Sequence, residues 1–289
     1  MADAEVNGVR LHYELVGAGD AVVFVHGALL DHHDWDVVAA QLAQSFQVLS
    51  YDRRGHSQSS GTGTFDDDVA DLAALIEYLR LAPVHLVGNS LGGCIALRLA
   101  VARPELLRSI SAHEPPLLAL LADDPETRPA VEQVQHRVRA VLDDLTTGRT
   151  DLGARRFVEE VAFGDGAWDR LPSRAQKTIM GNTATFIEEN TDPGIYGIDL
   201  QALSQVAIPV LITQGTQSPP FFASVSDQLQ AVLPQVERRV LQGVGHVPQL
   251  TDPDHYAAQL QAFITAVSRT AEPDQGWLEA TPPVVAART

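Results

Sequence analysis

Cysteine is almost absent from this chain, which has only Cys94 among its 289 residues. A single cysteine can form no intramolecular disulfide and no cysteine-ligated zinc cluster. Because Cys94 lies in an apolar helical pattern, we interpret it as a buried structural thiol. No apolar run approaches the length of a membrane span, and the first ten residues, MADAEVNGVR, lack the apolar core of a signal peptide. We therefore expect a cytoplasmic protein without a membrane partner.

Basic residues are few, since 20 lysines and arginines stand against 37 aspartates and glutamates and leave a net charge of −17. A negative field of this kind repels phosphate backbones and anionic lipid surfaces. We therefore predict no nucleic-acid partner and interpret the charge as that of an acidic, soluble surface. Apolar residues make up 45% of the chain, which is ordinary for a globular protein with an ample core.

Strand-like and helix-like segments alternate over the first 114 residues. An early half-exposed strand, VRLHYELVG, precedes the continuous apolar run AVVFVHG, which is typical of a strand buried on both faces. The stretch DDDVADLAALIEYLRL has helical periodicity, with its acidic residues at the end that the helix dipole prefers. This alternation predicts an α/β fold, with a mostly parallel central sheet and helices on both of its faces.

The alternation stops between residues 115 and 203, where helical patterns such as AVEQVQHRVRAVLDDL occur without any segment that resembles a buried strand. It resumes at IPVLITQG. We therefore predict a core made of residues 1–114 and 204–269, with residues 115–203 as a helical lid over the carboxyl edge of the sheet. Residues 270–289, rich in proline, threonine and alanine, are predicted to form a loosely held tail.

A serine between glycines, in LVGNSLGGCIAL, marks the point where a strand-like run gives way to a helical pattern. Gly88, Ser90 and Gly92 match G-x-S-x-G, the strand-to-helix elbow that exposes a nucleophilic hydroxyl. Glycines there keep bulk away from a turn that forces strained dihedral angles on its apex. A glycine- and serine-rich turn that merely begins a helix would give the same short pattern. The other motifs of the chain decide between this turn and a nucleophile elbow.

Four motifs supply that context: HGALLDHHDW (26–35), YDRRGHSQSS (51–60), GNSLGG (88–93) and GVGHVPQL (243–250). With these motifs in this order, the chain resembles the α/β-hydrolase fold family over roughly residues 8 to 268. One local departure is Ser57, where the D-R-R-G-x-G-x-S pattern of the family usually has a second glycine.

The resemblance implies that Ser90 is a nucleophile activated by a histidine late in the chain. Of the ten histidines, His246 lies in a glycine-rich loop after the last strand-like segment, and we expect it to be the base. Acyl transfer builds negative charge on the former carbonyl oxygen. By the family pattern, the backbone N–H groups of Ala28 and Leu91 are expected to form the oxyanion hole.

The acid of the triad departs from the commonest family pattern. After IPVLITQG the family usually has G-x-x-D, but Ser218 stands at the aspartate position, and a hydroxyl cannot balance an imidazolium by charge. The strand after the elbow ends in SAHEPP, which puts Glu114 at an alternative acid position that some members use. Pro115 favours an extended backbone at Glu114. Asp227, in a helical pattern, and Asp252, on a predicted surface loop, are the competing acids, and Glu114 could instead be a solvated loop carboxylate.

Glu114 together with SPPFF (218–222) narrows the resemblance, because serine hydrolases related to zearalenone lactonase similarly carry a glutamate after this strand and lack the later aspartate. We therefore predict a hydrolase without cofactor or metal that cleaves a carboxylic ester or lactone through an acyl-serine intermediate. Carbon–carbon bond hydrolases and perhydrolases use the same triad, and a ligand-binding relative without turnover is a further alternative. A serine at the elbow disfavours dehalogenase and epoxide hydrolase relatives, which use an aspartate there.

Apolar side chains in residues 115–203 indicate a small, largely apolar substrate, because they exceed what a surface insertion needs. We expect a subset of them to line the pocket and the others to pack the lid onto the core. They are Leu117, Leu118, Leu120, Leu121, Phe157, Phe163, Trp168, Met180 and Phe186.

Overall fold

The computed structural model describes residues 1–271, in which eight strands form one sheet. Its strands are β1 Ala2–Val6, β2 Val9–Gly17, β3 Ala21–Val25, β4 Gln47–Tyr51, β5 Val84–Asn89, β6 Leu107–His113, β7 Val210–Gly215 and β8 Val236–Leu241. Their order across the sheet is β1-β2-β4-β3-β5-β6-β7-β8. β2 runs antiparallel to β1 and to β4, whereas the other neighbouring pairs are parallel. The predicted mostly parallel sheet is confirmed.

The strand β1 is absent from the expectations drawn from the sequence. It pairs with β2 through a two-residue turn at Asn7 and Gly8, whose φ angles are 47° and 77°. An Asn-Gly pair is a strong hairpin signal because both residues tolerate positive φ. Within β1, Ala4 and Val6 are buried and the intervening residues are exposed. The pattern was thus present in the sequence, although a stretch of five residues is too short to be read by alternation alone.

Helices cover both faces of the sheet, as predicted. They are α1 Asp36–Leu42, α2 Phe65–Tyr78, α3 Leu91–Ala102, α4 Arg128–Thr146, α5 Thr150–Arg156, α6 Ala167–Arg170, α7 Ser173–Gly181, α8 Thr183–Glu189, α9 Leu200–Leu203, α10 Phe221–Val232, α11 Pro248–Thr251 and α12 Pro253–Ala271. Short 3₁₀ helices span His32–Trp35, Pro104–Leu106 and Leu118–Leu121, and a π-helix spans Phe157–Ala162. α1 and α12 share one apolar cluster, whereas α2, α3 and α10 belong to the larger cluster on the other face.

The helix α2 begins at a capping box. The Thr64 hydroxyl accepts from the backbone N–H of Asp67 at 3.3 Å, and the Asp67 carboxylate accepts from the backbone N–H of Thr64 at 2.7 Å. These reciprocal bonds satisfy backbone donors that a helix leaves unpaired at its start.

In α3, Cys94 is fully buried, and burial raises the pKa of its thiol to about 12.

Every helix within residues 1–271 is either too short or insufficiently apolar to span a lipid bilayer.

Residues 115–203 lie between β6 and β7 and contain helices but no strand. They contact the loops at the carboxyl ends of β3 and β4. The Asn182 side-chain amide donates to the Leu30 carbonyl at 2.9 Å, and the Thr185 hydroxyl donates to the Gly55 carbonyl at 2.7 Å. The helical segment therefore lies against the carboxyl edge of the sheet. Of the predicted tail, residues 270 and 271 end α12, and the rest lies outside the described residues.

The loop after β4 contains Ser57, where the family pattern has glycine. Its φ is 44°, a value that glycine adopts more easily than other residues. Two hydrogen bonds hold the serine in this conformation: its N–H donates to the Asn182 side chain at 2.8 Å, and its hydroxyl donates to Asp31 at 3.2 Å. The departure therefore changes one turn and leaves the loop intact.

Candidate active site

Ser90 lies at the apex of a sharp turn between β5 and α3, with φ of 55° and ψ of −125°. The two flanking glycines are required by close approach of the backbone. A Cβ on Gly88 would overlap the Gly92 carbonyl, and a Cβ on Gly92 would overlap the carbonyl oxygen of Val25. Such strained apices occur where the surrounding structure holds a residue for function. The motif therefore has the strand–turn–helix context that a nucleophile elbow demands.

Glu114 and His246 come together from distant parts of the chain. The Glu114 Oε2 atom lies 2.8 Å from His246 Nδ1, and its Oε1 atom accepts from the Gly215 N–H at 2.7 Å. The Glu114 side chain is fully buried. Burial by itself would raise the pKa of this carboxyl, but the hydrogen bond from His246, with smaller electrostatic contributions from His113 and His246, brings the pKa below its ordinary value. The arrangement favours a carboxylate that holds the imidazole by Nδ1.

The backbone at Glu114 differs from the expectation drawn from Pro115. Its φ is 47°, in the left-handed region, so the predicted extended conformation is wrong. The N–H of Glu114 still donates to the Thr213 carbonyl of β7 at 3.1 Å, after which the chain turns sharply. The two hydrogen bonds of the carboxylate, to His246 and Gly215, hold this uncommon conformation in place.

The alternative acids lie elsewhere. Asp227 is paired with Arg238, and Asp252 with His255 at 3.2 Å. Among residues 1–271, neither aspartate hydrogen-bonds to His246. Ser218, at the usual acid position of the family, is close enough to Glu114 to contribute to its lowered pKa, although its buried hydroxyl has no hydrogen-bond partner of good geometry in the described chain.

The expected oxyanion donors lie beside Ser90. Leu91 is the first residue of α3, and N–H groups in the first turn of a helix have no intrahelical acceptor and carry partial positive charge. Ala28 follows β3 in a turn, and its N–H has no acceptor within the described part of the chain. Both residues line one cavity together with Ser90 and His246.

That cavity, the inner cavity, has a volume of about 50 Å³ and is mostly apolar. Of the side chains that we expected as candidates for its lining, Leu118, Phe157 and Phe186 are present, and the other six are not. A larger, more polar cavity of about 550 Å³, the outer cavity, lies next to it, and the two share Val161, Ala162 and His246. Val161 and Ala162 end the π-helix, a form of helix that is frequent at functional sites.

The sequence analysis assigned no role to three residues that lie around His246. The Asn89 side-chain amide donates to the His246 carbonyl at 2.8 Å, and Phe222 stacks on the imidazole with ring centres 4.8 Å apart. His113 Nε2 donates to the Gly245 carbonyl at 3.2 Å. Burial lowers the pKa of His113 to about 4, so it is neutral. Asn89 and His113 directly precede Ser90 and Glu114, but no spacing rule connects them with a loop more than 130 residues later.

A cluster of Asp31, His32 and Asp52 is the one group in the described chain with three ligand-type atoms within 4.8 Å of one another. Asp52 accepts from the backbone N–H of His32 at 3.0 Å and lies 2.6 Å from its Nδ1 atom. Asp31 accepts from the Ser57 and Thr178 hydroxyls at 3.2 and 3.1 Å. These hydrogen bonds give the cluster a structural role, because they hold together the loops after β3 and β4.

Comparison with known proteins identifies the family. A model of the alpha/beta hydrolase fold matches residues 20–253. The chain belongs to the α/β-hydrolase fold family. An uncharacterized hydrolase of Bacillus subtilis, YraK, is 36% identical over 212 residues, which cover 70% of this chain and 72% of that protein. The predicted family is thus confirmed.

Solved structures of α/β hydrolases resemble this chain over most of its length. An alpha/beta hydrolase from Sphaerobacter thermophilus superimposes with a TM-score of 0.73 at 25% identity and covers 89% of this chain and 97% of its own. A thermophilic esterase from Thermogutta terrifontis, at 22% identity, has a TM-score of 0.67 with 90% and 94% covered. The second likeness shows the fold alone. Membership of this hydrolase family supports an enzyme.

Proposed function

We propose that this α/β hydrolase cleaves a carboxylic ester or lactone through an acyl-serine intermediate, with Ser90 as nucleophile, His246 as base and Glu114 as acid. The observation that carries the proposal is the 2.8 Å contact between Glu114 Oε2 and His246 Nδ1, beside the cavity that both His246 and Ser90 line. A buried carboxylate on Nδ1 holds the tautomer whose Nε2 is free to accept a proton. The same glutamate placement supports the likeness to serine hydrolases related to zearalenone lactonase.

In the first half of the reaction, Ser90 Oγ attacks the carbonyl carbon while His246 Nε2 takes the hydroxyl proton. The carbonyl oxygen becomes an oxyanion, which the N–H groups of Ala28 and Leu91 stabilise. The tetrahedral intermediate collapses when its bond to the leaving oxygen breaks and His246 returns the proton to that oxygen. A lactone gives an acyl-serine that still carries its own hydroxyl.

In the second half, His246 removes a proton from water, whose oxygen attacks the acyl carbon. A second tetrahedral intermediate forms in the same oxyanion hole, and it expels Ser90 Oγ as His246 reprotonates it. The carboxylic acid leaves and the enzyme returns to its starting state. Glu114 stays ionised throughout and stabilises the imidazolium in each half.

The small volume and apolar lining of the inner cavity favour a substrate with a small, apolar acyl group. Its volume of about 50 Å³ is well below the roughly 300–1,000 Å³ typical of drug-sized ligand sites. We propose that the acyl group binds there and that the leaving group extends into the outer cavity beyond Val161 and Ala162. Residues 115–203 act in this proposal as the lid, because Phe157 and Phe186 from that segment line the inner cavity together with Ser90.

A panel of p-nitrophenyl esters and simple lactones of graded size, with a fluorophosphonate probe, tests the proposal. We expect labelling of Ser90, turnover of short acyl chains, and the loss of both in Ser90→Ala. Labelling without turnover of any ester or lactone would favour a ligand-binding relative, or an enzyme whose acyl-serine reacts with an acceptor other than water. A protein that neither labels nor turns over would contradict the assignment of Ser90.

A further inference from the structure

Arg53 is a fully buried arginine in the loop after β4. Its Nη1 atom donates to Asp68 of α2 at 2.7 Å and to Glu189 of α8 at 2.6 Å. A buried ion pair of this kind adds little net stability, because desolvation offsets most of the attraction. The position of the guanidinium is nevertheless sharply defined, since two carboxylates from separate elements hold the same nitrogen.

The other terminal nitrogen of Arg53 faces the loop that carries Ala28. Nη2 lies 3.3 Å from the Gly27 carbonyl oxygen, which also accepts from His26 Nδ1 at 2.8 Å. The Arg53 backbone N–H donates to His26 Nε2 at 3.0 Å, so the His26 proton must be on Nδ1. The Gly27 carbonyl thus accepts one charge-assisted and one neutral hydrogen bond, both from buried groups.

The Gly27 carbonyl and the Ala28 N–H belong to the same planar peptide group. Fixing the carbonyl oxygen therefore fixes the direction of the N–H, and a cation on the oxygen polarises the whole group, which strengthens the N–H as a donor. We propose that Arg53 is a positioning residue of the oxyanion hole, acting on the Ala28 N–H through the Gly27 carbonyl. The inference rests on the proposed function, because it needs Ala28 to be an oxyanion donor.

Glu189 extends this arrangement to the helical segment. It lies at the end of α8 and holds Arg53, while Asn182, just before α8, donates to the carbonyls of Leu29 and Leu30 at 3.2 and 2.9 Å. The loop from 27 to 30 is thus held by the core through Arg53 and by residues 115–203 through Asn182. Loss of the Glu189 contact should disturb the oxyanion donor although Glu189 does not line the cavity around Ser90.

An Arg53→Lys variant tests the inference. Lysine keeps the buried positive charge but lacks the planar guanidinium group, which alone reaches Gly27 and the two carboxylates together. Arg54→Lys is the matched control: Arg54 is in the same loop and pairs with Asp71 at 2.7 Å, and among the described residues its side chain donates to Asp71 and to the Thr62 carbonyl but not to Gly27. Both variants are normalised by fluorophosphonate titration, so that only correctly folded sites are counted. The measurements are kcat and KM on one short-chain ester, and the inhibition constant of phenylboronic acid, which forms a tetrahedral adduct.

Removing a single oxyanion donor typically costs about 10²–10³ in kcat. Because Arg53→Lys misaligns a donor and leaves it in place, we expect kcat to fall about 10- to 100-fold with KM within about twofold, and boronate affinity to fall by a similar factor. The carbonyl stretch of the trapped acyl-enzyme should also move to higher frequency, since a weaker oxyanion hole polarises it less. Arg54→Lys should keep wild-type kcat and boronate affinity.

Wild-type kcat and boronate affinity in titrated Arg53→Lys would overturn the inference, since a merely structural arginine would change only the yield and stability. If Arg53→Lys does not fold, Glu189→Gln provides the same test, because Arg53 keeps its pair with Asp68. A folded Glu189→Gln with unchanged kcat and unchanged boronate affinity would likewise overturn it. Failure of the proposed function is distinguishable, because the wild-type protein itself would then turn over no ester or lactone.

Discussion

The substitution Glu114→Gln removes the negative charge beside His246 and leaves the shape of the side chain almost unchanged. The Gly215 N–H can still donate to the amide oxygen, whereas the amide N–H₂ would face His246 Nδ1 and favour the tautomer with its proton on Nε2. At 2.8 Å and an effective dielectric constant of about 20, opposite unit charges attract by about 6 kcal/mol. Since about 1.4 kcal/mol corresponds to a factor of ten in rate, kcat should fall by about four orders of magnitude.

Steady-state turnover of a short-chain p-nitrophenyl ester, with the concentration of folded protein checked by circular dichroism, measures this loss. Asp227→Asn is the control, because Asp227 pairs with Arg238 on the surface, lines neither cavity, and should leave kcat within about twofold. The double variant Glu114→Gln/Ser218→Asp should regain one to two of the lost orders, because Ser218 stands near the carboxylate. A fully active Glu114→Gln, with Asp227→Asn inactive, would refute the assignment of the acid.

Three further predictions concern the elbow, the buried histidines and the inner cavity. Gly88→Ala should destabilise the protein by about 1–3 kcal/mol in urea unfolding and abolish fluorophosphonate labelling, since the new Cβ overlaps the Gly92 carbonyl; normal labelling would contradict the elbow geometry. Burial lowers the pKa of His85 and His113 to about 4, so the unfolded chain binds protons that the folded state excludes below pH 6.5. The free energy of unfolding should therefore fall between pH 6.5 and 4, by up to about 1.4 kcal/mol per pH unit for each histidine, and a flat profile would argue against buried neutral imidazoles. Phe157→Leu should raise kcat/KM for esters one or two methylenes longer by about tenfold relative to acetate esters, and an unchanged chain-length profile would contradict the acyl site.

The sequence was sufficient for features that are local or that follow a repeated pattern. The elbow could be predicted because Gly88, Ser90 and Gly92 lie within five residues, and the position of His246 could be predicted because its loop follows the last strand. The parallel sheet follows from alternating strand-like and helix-like runs. Glu114 could be placed at the end of β6 by its position after the elbow helix, although its left-handed backbone could not, since tertiary hydrogen bonds override the local preference before proline.

Contacts between distant elements could not be predicted in this way. Arg53 lies 136 residues before Glu189, and His113 lies 132 residues before Gly245, so no periodicity or motif spacing connects either pair. Their meeting depends on how the helical segment packs on the loops of the sheet. The small volume of the inner cavity is likewise a property of side-chain packing, which composition does not determine.

Mass spectrometry of the intact protein, quenched during turnover of a slow ester, tests the central claim most directly. The account predicts one acyl group per chain, mapped by peptide analysis to Ser90, which forms and decays at rates that match turnover. Ser90→Ala should show no adduct and should lose about six orders of magnitude in kcat. An adduct at another residue, turnover without any adduct, or wild-type turnover by Ser90→Ala would contradict the proposed acyl-serine mechanism.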